Sequence, residues 1–235
     1  MSTEQRKLII PKKQTAGWVR LNRKWEIQAQ KFVPVRGFGI HAGGFTTVNV
    51  ATADKVDYVS GTTAARPDYN LTQARQRLSA AGNNSFGIFA GGLTTVNVAT
   101  ADKADYVGES TDVAANYNLS TARRGQTAAG NNSFGIHAGG FIGDVVATAD
   151  KVDYIGESTD VAANYNLSTA KNNLSAAGNA KFGVFAGGST GSSDVTTADK
   201  ADYIAEITVA RGGYNLSQAR GLLAAASNAT PGSSA

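Results

Sequence analysis

The residues best suited to chemistry come in fours. Asp54 and Asp57 bracket Lys55-Val56 and precede Tyr58, and the same Asp-Lys-x-Asp-Tyr string begins again at Asp102, Asp150 and Asp199. Two nearby carboxylates can divide the work of general acid and general base. A carboxylate at Asp102 or Asp150 can also ligate calcium. The repetition argues against both. Acid–base catalysis needs one site whose pKa values are pushed apart, not four equal ones, and the spacing fits no calcium loop. The expectation is turn capping with local ion pairs.

The two histidines, His41 and His137, occupy the same motif position, where Phe89 and Phe185 stand in the alternate copies. A shared metal or proton site on an axis is the sharp reading. No carboxylate joins them in a zinc-ligand motif, and a position that accepts Phe is a packing position, so packing is expected. Tyr69, Tyr117, Tyr165 and Tyr214 recur in Tyr-Asn-Leu. Such rings can form sugar platforms, but repeated tyrosines more often pack with their hydroxyls bonded. Asp105 and Tyr117 are the pair named as ligand-facing if a glycan binds. The chain has no cysteine, which excludes disulfides, thiolate metal sites and a cysteine nucleophile. No phosphate-cradling glycine motif is present. The sequence thus names no catalytic residue, no metal site and no cofactor.

Elements that would position these residues follow from the periodicity. Phe-Gly-Ile/Val-His/Phe-Ala-Gly-Gly starts at Phe38, Phe86, Phe134 and Phe182, each 48 residues after the last. The other landmarks keep step, with one extra residue between Phe182 and Asp199. Phe38 to Ala42 reads as a strand stopped by a Gly pair, which permits a tight turn. Val56 to Val59 reads as a second strand. Leu71 to Ala81 has helix-tolerant composition, but it ends in the hairpin signal Gly82-Asn83-Asn84 and leads into Phe86. A strand is therefore expected there, with packing overriding propensity.

In that order — Arg75, the small-residue strand Leu78–Ala81, the turn Gly82–Ser85, Phe86–Gly92, Ala104-Asp105-Tyr106, Tyr117 — the chain resembles a kelch blade over residues 38–230. Tyr stands where kelch has its late Trp, and Lys171 replaces the Arg in the third copy. The short Ala-rich form is similar to the kelch-like repeats of bacteriophage tail and fibre proteins. That resemblance implies an all-β fold of four tandem repeats (38–85, 86–133, 134–181 and 182–230), forming a small β-propeller, with an open stack completed by symmetry-related copies as the alternative. It also implies a virion part assembled in the host cytoplasm and a cyclic homo-oligomer. Its partners would be other virion proteins, or a host surface glycan. The copper chemistry of kelch oxidases needs a Cys-linked Tyr and is not carried over. The array opens on the Gly-Gly strand and closes on the small-residue strand Ala219–Ala226. Pairing of that last strand with the first blade would close a ring, and Lys31–Val35 is the other candidate partner.

Composition separates an arm from the repeats. Residues 1–36 hold nine basic groups against two acidic, a net +7, while the rest holds thirteen against sixteen, a net −3. The two parts are expected to meet different partners. The N-terminus lacks the apolar centre of a secretory signal, and no apolar run reaches eighteen residues, so no membrane span is expected. In the arm, 1–37, the stretch Gly17 to Trp25 alternates Trp and aliphatic residues with basic ones, as in an exposed strand or hairpin. Trp18, Arg20, Arg23, Lys24 and Trp25 are the expected anchor onto a larger assembly. Nucleic-acid binding by a basic arm is the main rival, and a solvated, partly disordered tail is the third reading, opposed by two Trp side chains that are costly to leave in water. Residues 231–235 read as a tail.

Overall fold

The computed structural model describes residues 37–227 in full and, of the arm, the strands β1 (Gly17–Leu21) and β2 (Lys24–Gln28). The chain divides into two compact units, Met1–Gly37 and Phe38–Ala235. β1 and β2 pair antiparallel, with Trp18 opposite Ile27, Arg20 opposite Trp25 and Leu21 opposite Lys24. The hairpin expected of the arm is thus present. Arg23 lies outside the described residues, as do Lys31–Val35 and residues 228–235.

The second unit is all-β, a series of sheets set as successive blades of a small propeller. The first comprises β3 (Phe38–Ala42), β4 (Ala53–Asp57) and β5 (Thr62–Ala65). The second comprises β6 (Ser79–Gly82), β7 (Phe86–Ala90), β8 (Ala101–Asp105) and β9 (Ser110–Val113). The third comprises β10 (Thr127–Gly130), β11 (Phe134–Ala138), β12 (Ala149–Asp153) and β13 (Ser158–Val161). The fourth comprises β14 (Ser175–Gly178), β15 (Phe182–Ala186), β16 (Ala198–Asp202) and β17 (Ile207–Ala210). Every pairing is antiparallel. Each complete sheet borrows its innermost strand from the end of the preceding sequence copy, as the permuted phase requires.

Four details differ from the sequence reading. The second strand is Ala53–Asp57, not Val56–Val59, because Asp57 turns the chain: its Oδ1 accepts the N–H groups of Val59 and Ser60. The outermost strands (β5, β9, β13, β17) are not marked in the sequence reading, since runs of four residues are too short for a clear period, and β5, β9 and β13 (TTAA, STDV, STDV) lack apolar alternation. Of the Leu71–Ala81 stretch only Ser79–Ala81, the start of β6, is strand; the rest is turns around one isolated bridge, Gln76 to Leu93. The C-terminal run Ala219–Ala226 forms no strand and pairs with nothing in the first sheet, so the ring closure expected of it is absent among the described residues.

Most motif residues now have a physical reason. Asn70 of Tyr-Asn-Leu accepts the Ala53 N–H at its Oδ1, and Asn118, Asn166 and Asn215 do the same for Ala101, Ala149 and Ala198. Asn83 and Asn131 cap the inner hairpins by accepting two N–H groups each. The Gly of Phe-Gly is demanded by close approach: a Cβ on Gly135 would lie 2.5 Å from the Tyr154 hydroxyl. The motif Lys sits over the motif Phe, with Lys103 Nζ 4.4 Å from the Phe86 ring centroid, a cation–π contact.

Candidate functional site

The charged motif residues converge at the joints between repeats. At the first joint Arg75 donates to Asp102 at 3.0 Å, to the Phe89 carbonyl at 3.0 Å and to Thr100 Oγ1 at 3.3 Å. Arg123 meets Asp150 at 2.9 Å and the Thr148 carbonyl at 2.9 Å. Lys171 meets Asp199 at 3.0 Å and the Thr197 carbonyl at 3.1 Å. All six side chains are shut off from solvent. Burial pulls the guanidinium pKa of Arg75 and of Arg123 below its ordinary value, while the facing carboxylate opposes that pull. A buried ion pair needs its remaining polar atoms bonded; the carbonyl and hydroxyl acceptors meet much of that need, although Arg75 Nε is left without a partner.

A local ion pair of the expected kind forms in the fourth motif, Lys200 to Asp202 at 3.0 Å, but the fully buried pairs span repeats. Asp102, Asp150 and Asp199, the first Asp of the second, third and fourth motifs, pair across repeats rather than within their own turns, while Asp54 of the first motif is exposed. The second Asp does cap its turn. Asp105 Oδ1 accepts the N–H groups of Val107 and Gly108, which hold its pKa below the usual carboxylate range. The joint pair was missed because its partners are separated by 27 or 28 residues and belong to different copies. One signal was available: the basic side chain is kept when Arg becomes Lys at 171.

Aromatic packing completes each joint. Phe38 meets Tyr106 of the next repeat edge-on, with ring centroids 5.1 Å apart; Phe86 and Phe134 meet Tyr154 and Tyr203 in the same way. His137 is wholly buried there, its Nδ1 2.8 Å from Ser79 Oγ. Burial, aided by the positive charge of Arg123, drives its pKa down to about 3. His41 is exposed on the first sheet. The two histidines share no site, and among the described residues no group of three or more His, Cys, Asp or Glu is placed to hold a metal.

Two clefts are notable. Asp105 and Tyr117 come together in one of about 260 Å³ at the rim between the second and third sheets, with Lys103, Asp112, Asn116 and Glu157. Tyr117 forms its floor rather than a platform: it is 1% exposed, its ring stacks on Phe86, and burial raises its pKa. A second cleft, about 370 Å³, is lined by the small inner-strand residues Ala80, Ala128 and Ala176 and their neighbours, with Ser227. Nothing there offers a catalytic group.

No family model matches the chain, and no curated protein compared with it is similar.

Proposed function

We propose that this chain is a non-catalytic structural component of a phage virion — a fibre, neck, baseplate or capsid-decorating protein — that docks by residues 1–37 and displays the repeats. The observation that supports this most is the use made of its charged residues. Of the carboxylates that might have been spent on acid–base chemistry, Asp102, Asp150 and Asp199 join repeats and Asp57, Asp105, Asp153 and Asp202 cap turns. A chain built this way is suited to bearing load and presenting surface. The arm carries the opposite net charge and forms its own hairpin, as suits an anchor with a separate, acidic partner. Trp18 and Trp25 would supply its buried contacts, with Arg20, Arg23 and Lys24 orienting it.

The test is to label purified particles with an antibody against residues 38–230. Labelled virions are expected, and deletion of residues 1–36 is expected to remove the label while the truncated protein stays folded. Protein found in the lysate but never on particles would overturn the reading.

A glycan-binding role is the second reading, supported by the rim cleft that joins Asp105 and Tyr117 to exposed Asp112 and Asn116. Because Tyr117 is packed in the core, Asp112→Ala is the discriminating variant. Saturable binding on a glycan array that this change abolishes would favour the lectin role over a purely structural one.

A further inference from the structure

The three joints inside the chain are copies of one interface, and the two ends of the array carry its unmatched halves. Tyr69, Tyr117 and Tyr165 are 0–1% exposed because the next repeat covers them, whereas Tyr214 is 46% exposed. Arg75, Arg123 and Lys171 are buried, but their equivalent Arg220 is exposed. On the opposite face, Asp102, Asp150 and Asp199 are buried and Asp54 is exposed. Tyr154 and Tyr203 are each 6% exposed, against 66% for Tyr58.

The backbone shows the same open ends. A ladder of hydrogen bonds links equivalent residues: Gly125 donates to Arg77, Asn173 to Gly125 and Leu222 to Asn173. Each rung uses a residue with positive φ, from 51° at Asn173 to 66° at Gly125, which points its N–H and C=O in opposite directions. Residues 224–227 stand where β6, β10 and β14 supply innermost strands, yet among the described residues the first sheet has three strands. The sequence does not begin a fifth copy, because Pro231-Gly232-Ser233 stands where the Phe strand would start.

We propose that copies of this chain associate head to tail through a fourth joint of the same design. Arg220 of one copy pairs with Asp54 of the next, and residues 224–227 complete the next copy's first sheet beside Phe38–Ala42. The register of β14 on β15, which sets Ala176 opposite Phe185, places Ala225 opposite His41. A second copy is the occupant because the two faces carry opposite charges and continue the geometry of joints already made. Faces that differ in this way close into a ring or grow into a filament. The joint is weaker than the internal ones in one respect. Glu109 and Glu206 reach back to Lys55 and Lys151 across their joints, but Gly61 occupies that position in the first repeat. Lys200 instead turns to Asp202 at 3.0 Å. Assembly is therefore concentration-dependent. None of this depends on a virion role.

The experiment uses the full chain, which has no cysteine of its own. Directly opposed positions in an antiparallel pair lie within disulfide reach. His41→Cys and Ala225→Cys proteins are mixed and oxidised. A mixed disulfide dimer is expected, together with a multimer ladder from the double variant. Light scattering should show mass rising with concentration. Arg220→Glu should weaken association by about thirtyfold or more, and Asp54→Arg combined with Arg220→Glu should restore it. A wild-type chain that stays monomeric with no mixed disulfide would overturn the proposal. So would an intrachain disulfide in a monomeric double variant, which would show that the array closes on itself.

Discussion

Arg75 and Asp102 lie 3.0 Å apart with neither side chain open to solvent, although they belong to different repeats. The pair couples two sheets that share no strand pairing. Its weight lies in the cost of breaking it. Asp102→Ala leaves a buried guanidinium unpaired and should cost about 3–5 kcal/mol. Asp54→Ala, at the exposed equivalent, should change stability by less than about 0.5 kcal/mol. Urea unfolding of the two variants measures the contrast.

Lys171 is the one internal joint cation that is not Arg. Thr100 Oγ1 and Thr148 Oγ1 each accept from their Arg, whereas the buried Thr197 hydroxyl has no partner. Lys171→Arg should supply that donor and raise stability by up to about 1 kcal/mol. An unchanged or lowered thermal midpoint would show that the third joint has repacked around the slimmer lysine.

His137 should govern stability in mild acid. Its pKa is about 3 in the folded chain and about 6.5 when unfolded. Above pH 6.5 it is neutral in both states and adds no pH dependence. As pH falls from 6.5 towards 3 the unfolded state takes up the proton first, so stability is lost, by about 1.4 kcal/mol per pH unit at most. His137→Phe should flatten that limb, since Phe fills the position at 89 and 185. The Ser79 hydroxyl loses its partner in the exchange, which costs about 1 kcal/mol at every pH. Denaturation midpoints across pH 4–7 read both effects, and an equally steep limb in the variant would exclude His137 as its source.

Gly139 is held at φ +73°, where a Cβ would lie 2.5 Å from the Lys171 carbonyl oxygen. Gly139→Ala should therefore cost more than about 2 kcal/mol. Gly212 has open space around it and no left-handed φ, so Gly212→Ala should be near neutral. Thermal melts of the pair suffice.

Some of this architecture was legible in advance. The 48-residue period survives any loop conformation, so the repeats, their phase and the Phe and inner small-residue strands could be read directly. So could the Asn83 turn, because Asn side chains bond their own backbone. The outermost strands could not, because Thr62–Ala65 is held by hydrogen bonds to β4 rather than by an apolar face. The candidate site divided in the same way. Asp105 as a turn cap is a local fact. Asp102 as a joint residue is not, because its environment is created by Arg75 from another copy.

By itself, then, the sequence determined the repeat, its strand-forming motifs and the separation of a basic arm from a slightly acidic array. These depend on periodicity, local backbone chemistry and charge, all of which act over a few residues. Only the tertiary structure decided which carboxylates are buried, which histidine is silenced, and that Arg220 and Asp54 are left facing solvent. Burial and pairing arise when equivalent residues 48 positions apart are stacked side by side. The first and last copies carry the same joint residues as the middle ones, Asp54 and Arg220 among them, but have a neighbour on one side only.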